Sequence, residues 1–212
     1  MKILLIIIFA FSLSSCDKAS DFMYENFSLQ KNIDKADENS RKNIEGDFKI
    51  DGFGYSFPPN VGRFTQNGFD IKSSIEGQSS TENIEILPAN QTANIYLTKD
   101  GGTIFAKATN NTSKGIDIQE TPISYIEISK SDIGNLDFSL GDIKLSDPLY
   151  EMEKKVPDKE IIALGENSKD KQNDQYYMYL NGKYVAIFTL YQGKLEDVEI
   201  IPNDKFFEYN NE

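Results

Sequence analysis

Apolar and polar residues follow three regimes along this chain. Residues 3–11 form an unbroken apolar run, Ile3-Leu4-Leu5-Ile6-Ile7-Ile8-Phe9-Ala10-Phe11, preceded by Met1-Lys2 and followed by Ser12-Leu13-Ser14-Ser15-Cys16. Residues 17–47 are dense in Asn, Asp, Glu, Lys and Ser, with a weak helical spacing of Phe22, Leu29, Ile33 and Ala36. That composition buries little and reads as a solvated tether. From Phe48 onward, short apolar alternations are punctuated by Asp-Gly, Asn-Gly and proline. This is the pattern of half-buried strands joined by tight turns.

The alternations predict elements in order. Phe48-Lys49-Ile50 and Phe53–Phe57 flank Asp51-Gly52 as a strand pair, stopped by Pro58-Pro59. Asn60–Gly68 reads as a short helix with Val61 and Phe64 on one face and Gly68 at its C-terminal end. Ser73–Asn83 reads as a polar loop. Strands follow at Ile84–Leu87, Asn94–Thr98, Thr103–Thr109, Ile116–Ile118 and Ile123–Ile128, with Asp100-Gly101-Gly102 as a hairpin turn. In the second half, Leu136–Leu145 reads as a strand or hairpin. Asp147 caps a helix that begins at Pro148, buries Leu149, Met152 and Val156, and ends at Pro157. Asn167–Gln175 reads as a loop. Tyr176–Leu180, Asn181-Gly182, Lys183–Tyr191, Gln192–Lys194 and Leu195–Ile201 complete a meander.

Both halves thus show strand, proline, short helix, polar loop and meander. The expected fold class is α+β, two tandem small units, each a short helix plus an antiparallel meander sheet; the alternative is a single irregular β-sandwich. The expected divisions are 1–15 as a signal, 16–47 as the cysteine and tether, and 48–130 and 131–212 as the two units.

Charge and composition narrow the chemistry. The formal charge is −12, with 34 acidic against 22 basic side chains, so nucleic acid is excluded as an expected partner. Anionic lipid is likewise not attracted. Histidine is absent and Cys16 is the sole cysteine, which removes His-based triads, cysteine-based zinc sites and internal disulfides. Arg41 and Arg63 are the only arginines, leaving few candidates for bidentate anion recognition. The 14 Phe and 11 Tyr are ample for a core.

The apolar run is too short for a mature membrane span, which needs roughly 20 residues, but it suits an export signal. Leu13-Ser14-Ser15-Cys16 resembles the bacterial lipobox. That resemblance implies cleavage before Cys16, acylation of its thiol, and a lipid-anchored protein of the cell membrane facing the periplasm or cell exterior. A plain secretory signal would instead leave Cys16 a spare thiol. Separately, Leu140-Gly141-Asp142-Ile143-Lys144-Leu145-Ser146-Asp147-Pro148-Leu149-Tyr150-Glu151-Met152-Glu153-Lys154-Lys155-Val156-Pro157 resembles the opening of the SmpA/OmlA small-lipoprotein family. The resemblance spans about residues 136–201. Its wider group has the β-lactamase-inhibitor-protein-like fold. It implies a helix before three antiparallel strands, and a binding or assembly role rather than an active site.

The hairpin at 176–191 is the most aromatic stretch. Tyr176, Tyr177, Tyr179, Tyr184 and Tyr191 are the candidate partner surface, since tyrosine is enriched at interface cores. Acidic clusters at Asp117/Glu120, Asp142/Asp147 and Glu196/Asp197/Glu199 lack calcium-loop spacing and read as solvated surface. Glu196 and Asp197 are expected on opposite strand faces. The expected function is therefore a membrane-anchored bacterial envelope lipoprotein that binds a protein or envelope component. No catalytic residue, cofactor or metal site is expected. The alternatives are a carboxylate-based envelope glycan hydrolase and a calcium or small-ligand binder.

Overall fold

The computed structural model describes residues 47–78, 83–156, 161–163, 172–180 and 184–202. Cys16, the tether, Asn181-Gly182 and Pro157 lie outside them.

Strands dominate. β1 (Asp47–Ile50) and β2 (Phe53–Ser56) form the expected hairpin. Asp51 and Gly52 take φ of 51° and 77°, the left-handed pair that a two-residue hairpin turn requires. Helix α1 (Val61–Gln66) buries Val61 and Phe64. There follow β3 (Asp70–Ile75), β4 (Ile86–Leu87), β5 (Thr92–Lys99), β6 (Gly102–Thr109), β7 (Ile116–Asp117), a 3-10 turn (Ile118–Glu120) and β8 (Ile123–Ser129). The second half contributes β9 (Phe138–Leu140), β10 (Ile143–Lys144), α2 (Leu149–Lys155), β11 (Ile162–Ala163), β12 (Gln175–Leu180), β13 (Tyr184–Tyr191) and β14 (Lys194–Pro202).

These strands make three antiparallel sheets: four-stranded β10-β9-β1-β2, eight-stranded β11-β12-β13-β14-β8-β6-β5-β3, and two-stranded β4-β7. The expected tandem of α+β units is thereby overturned. The first half supplies β3-β5-β6-β8 from one edge of the long sheet, and the second supplies β11-β12-β13-β14 from the other. They join where β8 pairs with β14, Ile128 opposite Val198. The small sheet is joined in the same way, β1 to β9. Helices of six and seven residues are too short to cover a four-stranded sheet, and neither half closes on its own. A contiguous apolar core instead takes Phe48, Ile50 and Tyr55 from the small sheet, Ile95, Ile104, Ile126 and Val198 from the long one, Phe64 from α1 and Met152 from α2. Tyr55 stacks on Phe64 at 4.3 Å, and Phe64 meets Phe69 edge-on at 5.6 Å. An ion pair links the sheets: Lys99, ending β5, lies 3.0 Å from Asp51 in the β1–β2 turn.

Two local expectations also change. Residues 70–75 pair with β5 as an edge strand, so Ser73–Ile75 of the loop expected over 73–83 are strand instead. Asp147 does not cap α2, whose N-cap is Pro148. Its carboxylate accepts from the Lys144 amide at 2.7 Å and pairs with Lys155 at 2.6 Å.

Candidate functional site

The long sheet alternates strictly over much of its width, so one face is dictated by the other. Ile95 and Leu97 on β5, Ile104 and Ala106 on β6, Ile126 and Ile128 on β8, and Val198 and Ile200 on β14 are buried in the core. The intervening positions point away from it and carry Tyr96, Phe105, Tyr125, Glu127 and Glu199. Strand register aligns Tyr96, Phe105, Glu127 and Glu199 in one row across β5, β6, β8 and β14. Tyr96 and Phe105 rings are 5.3 Å apart, and Phe105 meets Tyr125 at 6.0 Å in a T-shaped contact. Tyr96 is 43% exposed. A register shift between β6 and β8 at Lys107/Ala108 sets two residues, Ser124 and Tyr125, between the buried Ile123 and Ile126.

The electrostatics centre on two opposed carboxylates. The Tyr125 hydroxyl lies 2.9 Å from Glu199 Oε2 and 3.0 Å from Glu127 Oε2, so one proton serves two acceptors. These bonds hold the two carboxylate oxygens within about 6 Å of each other. Burial pushes the Glu199 carboxyl up. The negative neighbours Glu127 and Asp197 push it the same way, and the Tyr125 hydrogen bond pulls against them. Burial and both glutamates drive the Tyr125 phenol far up, so it remains a donor. Lys107 sits beside this group, its ammonium 5.9 Å from the Tyr125 ring centroid and 2.6 Å from Glu76.

The tyrosines expected to form the partner surface are placed differently. Tyr176 and Tyr177 are buried, and Tyr184 is half-buried against Phe57, 4.4 Å away and edge-on. The side chain of Tyr179 lies outside the described residues. Among the described side chains of this set, only Tyr191, 60% exposed, is on the surface. The reason is that β12 and β13 are apolar on both faces and both are covered: Met178 and Phe188 on one, Val185 and Ile187 on the other. Burial, with Asp174 and Glu153 nearby, pushes the Tyr176 phenol up to about 12.

The acidic clusters separate. Asp117 accepts from the Gln119 amide at 2.8 Å and caps the 3-10 turn. Asp142 is exposed. The β13–β14 register shifts between Thr189 and Leu190, whose partners are Asp197 and Leu195. Glu196 is the extra residue, so simple alternation of Glu196 and Asp197 between faces does not apply there. Among the described residues, no group of three or more His, Cys, Asp or Glu could hold a metal ion.

A concavity of about 740 Å³, open to solvent, lies between β2, α1 and the 3-10 turn. Ser56, Pro58, Asn60, Arg63, Gln66 and Gln119 line it. Backbone bonds from Val61 N to Thr121 O (3.1 Å) and from Ile123 N to Pro59 O (2.8 Å) tie the segments that carry its lining residues together. Glu120 is the acid on its wall; the Glu127/Glu199 pair lies outside it.

Sequence reasoning missed the Tyr96–Phe105–Tyr125 face. The local signal was a glutamate between two β-branched apolar residues, Ile126-Glu127-Ile128 and Val198-Glu199-Ile200, which marks outward positions on core strands. That these two glutamates meet depends on pairing between strands from opposite halves. Comparisons with protein-family models, curated proteins and solved structures find no match for this chain.

Proposed function

We propose that this chain is a lipid-anchored protein of the bacterial envelope, held by acylated Cys16, that binds a protein partner through the Tyr96–Phe105–Tyr125 face and performs no catalysis. The carrying observation is the aromatic row on the outward face of the long sheet over β5, β6 and β8, where Tyr96 is exposed and Phe105 and Tyr125 are half-buried. Aromatic residues on a rigid sheet supply contact area at small entropic cost. The lipobox-like Leu13-Ser14-Ser15-Cys16 supports the anchor.

A photo-crosslinking side chain at position 96, compared with one at Tyr150 (58% exposed, on α2), tests the surface. One recurrent protein adduct from position 96, absent from position 150 and lost on Phe105→Ala, is expected. Equal adducts from both positions would overturn the reading. Cys16→Ala should abolish fatty-acid labelling; persistent label would remove the anchor.

A second reading, carboxylate-based glycan hydrolysis, draws on two carboxylates held within about 6 Å by one hydroxyl, a range that includes the roughly 5–5.5 Å of retaining glycosidases. Against it, the pair lies on the outward face of the long sheet and does not line the groove. Glycan turnover that disappears in Glu199→Gln would favour it.

A further inference from the structure

We propose that the partner meets this face with a cationic, extended polypeptide segment, its lysine or arginine side chains seated on Tyr96 and Phe105 and against Glu127 and Glu199. The inference rests on the reading of this face as a binding surface and adds the chemistry of what binds.

Four observations carry it. First, Glu127 and Glu199 are direct cross-strand neighbours. Like charges in that relationship destabilise a sheet, and among the described residues a single phenol answers both. A cation delivered at the seam relieves that repulsion.

Second, the face is unbalanced. Lys72 and Tyr96 are register partners, as are Asp70 and Thr98, so β3 sets Asp70 and Lys72 beside the row. Asp70, Glu76, Glu127, Asp197 and Glu199 then stand against Lys72 and Lys107, and Lys107 is held by Glu76. The whole chain, at −12, steers cations toward itself.

Third, the chain already shows the contact on this surface, with the Lys107 ammonium over the Tyr125 ring. The neighbouring Tyr96 and Phe105 rings offer the same chemistry, and among the described residues no cation lies over either.

Fourth, the row from Tyr96 to Glu199 crosses three strand spacings, about 14 Å at roughly 4.8 Å each. That exceeds a single ammonium group. It matches about four residues of extended chain at roughly 3.3 Å per residue, which favours a peptide over a small cation.

The test uses the full chain in detergent and fluorescence anisotropy of a labelled six-residue oligoarginine peptide, with an oligoglutamate peptide of equal length as control. Oligoarginine should bind and oligoglutamate should not. The double variant Glu127→Gln/Glu199→Gln should weaken binding at least tenfold, and Tyr96→Ala at least threefold. Glu151→Gln/Glu153→Gln, which removes the same charge from α2, should change it less than twofold. Equal weakening by the two double variants, or equal binding of both peptides, would overturn the proposal. So would tetramethylammonium competing as strongly, per mole, as the peptide. Urea unfolding of each variant checks that it is folded. If the position-96 crosslink persists in Glu127→Gln/Glu199→Gln, the cationic partner is wrong and the binding surface stands. If position 96 crosslinks no more specifically than position 150, the surface itself is wrong.

Discussion

Glu127 and Glu199 stand directly opposite each other across the β8–β14 seam, and the hydroxyl of Tyr125 bonds to both. The chain tolerates two acids at the join between its halves, and their mutual repulsion is measurable.

Glu199→Gln should therefore stabilise the fold at pH 7, by about 0.5–1 kcal/mol, the scale of a cross-strand charge pair. Burial, together with Glu127 and Asp197, raises the folded-state carboxyl above the ordinary 4.5. A raised carboxyl favours the folded state below the ordinary value, and that contribution is lost as pH rises through the raised value. The wild type should gain stability as pH falls through this window, and the advantage of the variant should vanish below 4.5. Urea midpoints at pH 7 and pH 4 check it; a variant less stable at pH 7 would contradict the repulsion.

Asp51→Asn probes the link between the sheets with the opposite sign. Burial raises the Asp51 carboxyl, but the Lys99 hydrogen bond and charge and the Asp137 amide outweigh it, leaving it below 3.8. Its contribution is present above the ordinary value and lost as pH falls through the lowered one. Asparagine accepts the left-handed turn conformation, so the hairpin is retained. A loss of about 1 kcal/mol at pH 7 is expected for this partly buried pair, shrinking toward zero near pH 2. Melting temperatures of both proteins across that range decide.

Gly102→Ala should be severe. Gly102 opens β6 beneath the Ile133 loop, and an added Cβ would strike the Ile133 carbonyl oxygen, in a segment tied down by Thr103 N to Asp132 O at 2.8 Å. The expected cost is about 2–3 kcal/mol. Gly54→Ala, with open space around its Cβ and no positive φ, should stay within about 0.5 kcal/mol. Paired urea titrations measure both.

Asn110 is a buried polar lock. Its amide nitrogen donates to the carbonyls of Leu87, Pro88 and Lys114 at 2.9, 3.0 and 2.8 Å, and its oxygen accepts from Thr112. Asn110→Ala strands these groups and should cost about 2–4 kcal/mol. Asn110→Asp should be worse at pH 7, where a carboxylate would face three carbonyl oxygens, and should recover toward the alanine variant at pH 4 as it protonates. Urea midpoints of both variants at the two pH values distinguish charge from lost bonds.

Local structure was legible where it was locally encoded. Asp51-Gly52, Asp100-Gly101 and Gln192-Gly193 all adopt the left-handed pair of a tight hairpin, and Val61 and Phe64 share the buried face of α1. β3 was hidden because its central core position is Ser73, only 7% exposed, whose hydroxyl accepts from the Ile84 amide at 2.9 Å. A serine there breaks the apolar alternation that signals a strand. Tyr176 and Tyr177 were misjudged because strands apolar on both faces look alike whether covered within the chain or by a partner. The acidic–aromatic face was illegible because Tyr125 and Glu199 lie 74 positions apart and are joined by a strand pairing that no local pattern encodes.

That pairing also fixes an order of assembly. β14, the last strand described, does not lie at an edge; it fills the gap between β13 and β8 in the middle of the long sheet. Until residues 194–202 are in place, both neighbours hold open edges, which invite pairing with other chains. The sheet cannot be completed by adding strands at its edges in chain order, because the last strand described enters at its centre. A chain shortened before Lys194 would lose its middle rather than its margin.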